Sequence, residues 1–225
     1  MSLMLLALAL SQTAETEVGA ALAKTRNADR YAFKIETSIL GVGNAQSTVV
    51  EGRWRRDQPT FMKSGETEVY RKGESMVLLR KDVWKKADGR EGTRRIRGAF
   101  TVAGLRALRL PHEELAGIEK RFSAIRKLDA KEGDQDVYMG DLTEEAAREM
   151  YDSQTERKAE VPPAGTGRFW VTPAGEVAMV EIIVRAKAKA KSSQETGISL
   201  WITLSELGTA KVEVPEGAAK ALEEK

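Results

Sequence analysis

Any imidazole chemistry in this chain would have to pass through His112, the single histidine among 225 residues. It follows Pro111 and precedes Glu113 and Glu114, which lie too close in sequence to converge with it on one ion. The two or three histidines of ordinary zinc sites are missing. No Gly-x-Ser-x-Gly turn presents a serine nucleophile. Gly73-Glu74-Ser75 is followed by Met76-Val77 and reads as the start of a strand. Cysteine is absent, which excludes thiol catalysis, disulfides and zinc–cysteine or iron–sulfur ligation. Gly41-Val42-Gly43 follows a strand but no third glycine opens a helix after it, so it reads as a hairpin turn and not a dinucleotide fingerprint. No Walker-type phosphate loop occurs. The 34 acidic residues offer many carboxylate pairs, yet no spacing singles one out, and Glu51 and Glu68 fall on solvent faces of expected strands. The expectation is a protein without catalytic residues, metal or cofactor.

The bulk composition points the same way. Hydrophobic residues make up 41%, charged residues 31%, and the net charge is only +2, which describes a globular chain and not a disordered polyelectrolyte or a dedicated nucleic-acid binder. Basic residues cluster at Arg53–Arg56, Arg94–Arg97 and Lys187–Lys191. Lysine on an exposed strand blocks edge-to-edge pairing. The functional alternative is a docking face for a membrane surface or an envelope protein, with Lys187, Lys189 and Lys191 as its candidates.

The elements that must position these residues are mostly strands. Tyr31, Phe33 and Ile35 alternate with Lys34 and Glu36, the period of a half-buried strand. Val50 and Trp54 continue the pattern on a second strand, with Arg53 and Arg55 outward. PTFMK, TEVYR, ESMVLLRK and VWKKA follow at short intervals, separated by turn residues, as in an antiparallel meander. Between Arg97 and Arg126 the pattern becomes helical, with Leu115, Ile118 and Phe122 as one apolar stripe. DVYMGDL returns as a strand, and a helix capped by Asp141 or Thr143 comes after it. The last third predicts a hairpin turning at Thr172-Pro173-Ala174-Gly175. Its return strand places Ala178, Val180, Ile182, Val184 and Ala186 on one face, with Glu181, Arg185 and Lys187 on the other. GISLWITLSELG pairs with it, TAKVEV adds a closing strand, and PEGAAKALEEK forms a final helix. Trp201 lies opposite the Ile198–Leu204 face, so that strand needs apolar cover on both sides. Tryptophans also stand at 54, 84 and 170.

The run Leu3–Leu10 is eight apolar residues long, too short to span a bilayer, which takes about 20 residues. It fits a signal-peptide core, and Ala9-Leu10-Ser11 fits the small-residue pattern of a cut before Gln12. No lysine or arginine precedes it, and the same run also suits the first turns of a helix continuing through Val18, Ala21 and Leu22. The expectation is a signal peptide over 1–11 and one domain over 12–225, periplasmic or secreted, with no cysteine for a lipid anchor.

Three segments carry a likeness to a known family: VVEGRWRRDQPTFMK (49–63), LLRKDVWKK (78–86) and GISLWITLSELGTAKVEVPEGA (197–218). With the order of elements, they resemble the bacterial lipoprotein-carrier (LolA/LppX-like) half-barrel superfamily, which includes periplasmic lipoprotein chaperones and mycobacterial lipid-carrying lipoproteins. The resemblance implies an α+β fold: a strongly curved antiparallel β-sheet, a half-open barrel, with helices packed on its concave side. It also implies a cleft between sheet and helices that shields acyl chains. The partner would then be a lipid or an acylated protein, and no nucleic acid. The cleft would be lined by Phe33, Ile35, Trp54, Met76, Leu78, Val180, Ile182, Leu200 and Ile202. The alternative is a periplasmic interaction or sensor module of the same fold with a filled cleft, docking through the lysine face. The mycobacterial members are anchored through a cysteine that this chain lacks. The arginine that the chaperones use near their lid has no counterpart that the sequence aligns.

Overall fold

The computed structural model describes residues 2–41, 46–87, 100–155, 161–187 and 195–224. The meander forms as its alternation requires. Strands β1 (Arg30–Leu40), β2 (Gln46–Arg55), β3 (Thr60–Ser64), β4 (Thr67–Lys72), β5 (Ser75–Arg80) and β6 (Val83–Lys86) follow helix α1 (Ser2–Arg26). After the short helices α2 (Val102–Ala107) and α3 (Pro111–Glu114) come β7 (Phe122–Glu132), β8 (Gln135–Leu142), helix α4 (Glu144–Thr155), β9 (Ala164–Val171), β10 (Val177–Lys187), β11 (Glu195–Ser205) and helix α5 (Glu216–Glu223). The sheet order is β6-β5-β4-β3-β2-β1-β11-β10-β9-β8-β7. Consecutive strands β6 and β7 thus stand at opposite ends of the order. The middle helical segment belongs to the connection between those two edges.

The chain forms two compact units: Met1–Asn27, Thr37–Gln46 and Pro111–Thr203 make one, and Ala28–Glu36, Ser47–Leu110 and Leu204–Lys225 the other. In the first, α1 packs on β7, β9 and β10, and α4 packs on β9 and β10. The antiparallel registers Tyr138↔Phe169, Phe169↔Val180 and Val180↔Ile202 put these four side chains on one face. That face is the one the helices cover, since α1 reaches Tyr138 and α4 reaches Thr196 on it. Tyr138 donates its hydroxyl hydrogen to Glu17 of α1 at 2.6 Å. The Tyr151 hydroxyl of α4 lies 2.6 Å from that of Thr196. Thr25, buried at the end of α1, accepts the Val177 N–H at 2.7 Å where a bulge interrupts the β9–β10 ladder. Gly140 and Gly167 are cross-strand partners on this face, and a Cβ on Gly167 would lie 2.5 Å from the Phe122 ring. Two glycines side by side are what allow that ring to approach the strands closely and meet Phe169 edge-on.

In the second unit the two sheet faces each carry a helix. Tyr70 and Val77 pack with Ala218 and Ala221 of α5, and Phe61 and Trp84 close around them. On the other face Arg71 extends from β4 to α2. Its Nη1 donates to the carbonyls of Leu105, Arg106 and Leu108 at 3.1, 2.8 and 2.7 Å. A helix of six residues has no stability of its own, and its last carbonyls need partners. Arg71 supplies them with a charge.

Several expectations are corrected. Leu115, Ile118 and Phe122 do not form one helical stripe. Gly117 adopts φ 75°, which ends the turn begun at Pro111, a single 3-10 turn follows over Ile118–Arg121, and Phe122 already begins β7. TAKVEV joins no strand. Thr209 and Ala210 both donate to the Glu206 carbonyl, and Tyr70 holds the Glu213 carbonyl at 2.6 Å, so the segment runs over the sheet as an extended strap leading to α5. The helix expected after residue 141 begins at Glu144, and Thr143 is its cap, accepting from the Ala146 N–H. The hairpin turn at 172–175 forms as expected, with Gly175 N–H donating to the Thr172 carbonyl. Gly43, Arg94–Arg97, Lys189 and Lys191 lie outside the described residues.

Replacing Arg71 with Met should lower stability by about 2 kcal/mol, the scale for hydrogen bonds to a charged group. Urea unfolding of the full chain measures it. An unchanged midpoint would show that solvent serves those carbonyls equally well.

Candidate functional site

The nine candidate lining residues fall into two sets. Phe33, Ile35, Trp54, Met76 and Leu78 belong to the second unit, and Val180, Ile182, Leu200 and Ile202 to the first. Registers place Val180 with Ile202 and Ile182 with Leu200, all on the helix-facing side. In the second unit Met76 pairs with Arg71 and Leu78 with Val69, on the face that looks toward α2. Phe33 crosses to the strand next in line, and a Cβ on Gly52 would lie 2.3 Å from its ring. Seven of the nine are buried in protein. Leu200 and Trp54 keep partial exposure, and Trp54 stacks on Tyr31 at 5.0 Å between ring centroids. Of the nine, these two are the side chains with apolar surface still open to a ligand.

The opposite face of the first unit differs from its sequence reading. Arg185 and Lys187 are exposed there as expected, but Glu181 retains only 7% exposure. Its cross-strand partners are Trp201 on one side and Arg168 on the other. Trp201 stacks with Trp170 at 6.0 Å, and Trp170 donates its indole N–H to Glu132 at 2.9 Å. The cover that Trp201 needs on this side thus comes from a second indole. Burial pushes the Glu181 carboxyl above the usual carboxylate range. Arg168, 3.9 Å away, opposes the shift and the charge of Glu132 adds to it. On the helix side, Tyr138 is pushed up to about 12, first by burial and then by its bond to Glu17, so the hydroxyl stays a donor at any physiological pH.

A groove of about 740 Å³ opens at the strand ends of this unit, where β8, β9, β10 and β11 meet the segment after α4. Its lining includes Ile183, Thr166, Val161, Pro162, Arg185 and Lys187. Among the described residues, no group of three or more His, Asp or Glu is arranged to hold a metal ion. Sequence reasoning missed Arg71, the Glu17–Tyr138 bond and this groove. All three join residues far apart in the chain, and no local pattern announces them.

No family model matches the sequence, and no curated protein does. Likeness appears in three dimensions. Lipoprotein LppX of Mycobacterium tuberculosis superposes with a TM-score of 0.53 over 91% of this chain and 99% of that one, at 11% identity. LprF of Mycobacterium bovis gives 0.54 over 92% and 98%, at 13% identity. The fold is similar to that of LppX and LprF, and it is the α+β architecture expected from the sequence, an antiparallel sheet with helices against it.

A carboxyl whose pKa is raised by folding binds its proton more tightly in the native state. The stabilisation is complete below the unfolded pKa of about 4.3 and declines as pH rises through the native value. Glu181→Gln should therefore raise the melting temperature at pH 7, and the gain should shrink at pH 4. Equal gains at both pH values would contradict a buried carboxylate as the cause.

Proposed function

We propose that this protein is an exported carrier that binds a lipid, a lipoprotein acyl chain or another apolar ligand on the helix-facing side of its half-barrel. The observation that carries the reading is the fold itself, matched over nearly the whole chain to the lipoprotein LppX and to LprF. The physics of the site suits the task. Each buried methylene contributes about 0.8 kcal/mol, so a ~16-carbon chain gains on the order of 10 kcal/mol gross without any catalytic group. The helix-facing side supplies aliphatic and aromatic surface, and the half-buried Leu200 and Trp54 offer the places where it is not already filled. Binding then proceeds by displacement of water and small adjustments of the covering helices. No bond is made or broken.

Export rests on the apolar run Leu3–Leu10, with 1–11 removed and 12–225 acting as one domain outside the cytoplasm. In the structure this run is the first part of α1, and the part of the helix that would remain keeps Ala14, Val18, Ala21 and Leu22 buried. Among the described residues no helix is long and apolar enough to cross a membrane.

Leu200→Asp tests the site, because a half-buried position tolerates the change better than the fully buried Ile182 or Ile202. A folded variant, checked by circular dichroism, should bind a fluorescent fatty-acid probe at least about tenfold more weakly, a difference of about 1.4 kcal/mol. Binding equal to wild type would remove the helix-facing side as the ligand site.

A further inference from the structure

The groove at the strand ends of the first unit carries chemistry that an acyl-chain site does not need. Its lining draws on both faces of the sheet. Leu142 and Ala186 are buried residues of the helix-facing set, whereas Asp141, Ile183, Arg185 and Lys187 belong to the opposite set. The groove therefore wraps over a rim where the apolar, helix-covered side gives way to the charged outer side. Ile183 is the half-buried apolar side chain between them.

Charges of both signs accompany Ile183 in the lining. Arg185 and Lys187 follow each other on one face of β10, and Glu195 is the cross-strand partner of Lys187. Arg185 Nη1 lies 3.7 Å from Glu195 Oε2, an ion pair but too long for a charge-assisted hydrogen bond, and its side chain is 62% exposed. Asp141, exposed at the end of β8, supplies a second carboxylate. Among the described residues, two cations, two carboxylates and the apolar Ile183 complement a molecule that is itself zwitterionic and amphipathic. A volume of about 740 Å³ falls in the range of small-molecule clefts, ~300–1,000 Å³, and exceeds what a bare phosphate fills.

We propose that this rim groove is a headgroup site for a zwitterionic phospholipid of the phosphoethanolamine type. Arg185 and Lys187 take the phosphate, Asp141 and Glu195 take the ammonium, and the glycerol end lies on Ile183 toward Leu142. The guanidinium fork suits phosphate oxygens, and a primary ammonium donates three hydrogen bonds to carboxylates. The proposal deepens the carrier reading and rests on it for the acyl chains, but its chemistry is separable. The rim would select the headgroup while the helix-facing side holds the chains.

The test uses the full chain and two readouts. Short-chain dihexanoyl phosphatidylethanolamine, dihexanoyl phosphatidylglycerol, O-phosphoethanolamine and inorganic phosphate report on the rim by titration calorimetry. The fluorescent fatty-acid probe reports on the helix-facing side. Wild type should prefer the ethanolamine lipid over the glycerol lipid. R185Q/K187Q should weaken the ethanolamine lipid about tenfold or more while leaving the fatty-acid probe unchanged, and D141N/E195Q should abolish the preference. Headgroup affinity unmoved by R185Q/K187Q overturns the rim site and leaves the carrier reading standing. Free phosphate binding as tightly as the lipid also overturns it, by showing a simple anion site. If the probe fails to bind wild type but the short-chain lipid binds and responds to both double variants, the carrier reading falls and the rim site stands.

Discussion

The apolar row of β10 is the constraint around which the first unit is built. Val180, Ile182, Val184 and Ala186 share one face of a strand central to that unit, each kept almost wholly from water. A buried side chain of this size is worth about 1.5–3 kcal/mol, so exposing the row would consume much of the ~5–15 kcal/mol that holds a domain folded. Helices α1 and α4 answer that demand, and polar bonds fix how they lie. Thr25 closes the backbone at the bulge, and Glu17 receives the Tyr138 hydroxyl. The Gly140–Gly167 pair lets Phe122 fill the remaining space.

A sheet face dry in this way is close to being a lipid site, because the forces that seat a helix also seat an acyl chain. The difference between the two is how completely protein atoms cover the surface. The row is covered, and Leu200, beside it on β11, stays half open. The second unit repeats the logic with other means. Arg71 ties α2 to one face through three carbonyls, and α5 covers the aromatic cluster of Tyr70, Phe61 and Trp84 on the other.

Strand alternation made most of the architecture legible. The period-2 pattern of β1 and β10 assigned inward and outward faces correctly, because a sheet buried on one side leaves its signature in every second residue. The middle of the chain was misread where Gly117 takes a left-handed conformation, since an apolar spacing of three and four cannot reveal that the backbone changes state between its members. TAKVEV has strand composition but no neighbour to pair with. Glu181 looked like a solvent-facing charge from its position in the alternation. Its burial depends on Trp170 and Trp201, brought beside it by cross-strand register and not by sequence. Val180, Ile182, Leu200 and Ile202 share one face of the first unit because alternation determines face. How much of each is exposed depends on helices whose docking no local pattern encodes.

The account is tested most directly by purifying the mature protein without detergent from an exporting host, then extracting it with organic solvent for mass spectrometry. It predicts a phospholipid or acylated species at about one per chain, retained because burial of its chains outweighs their solubility in the purification buffer. A ligand-free protein that also ignores fluorescent fatty-acid probes would contradict it, and would leave the half-barrel as a scaffold whose apolar face serves only its own helices.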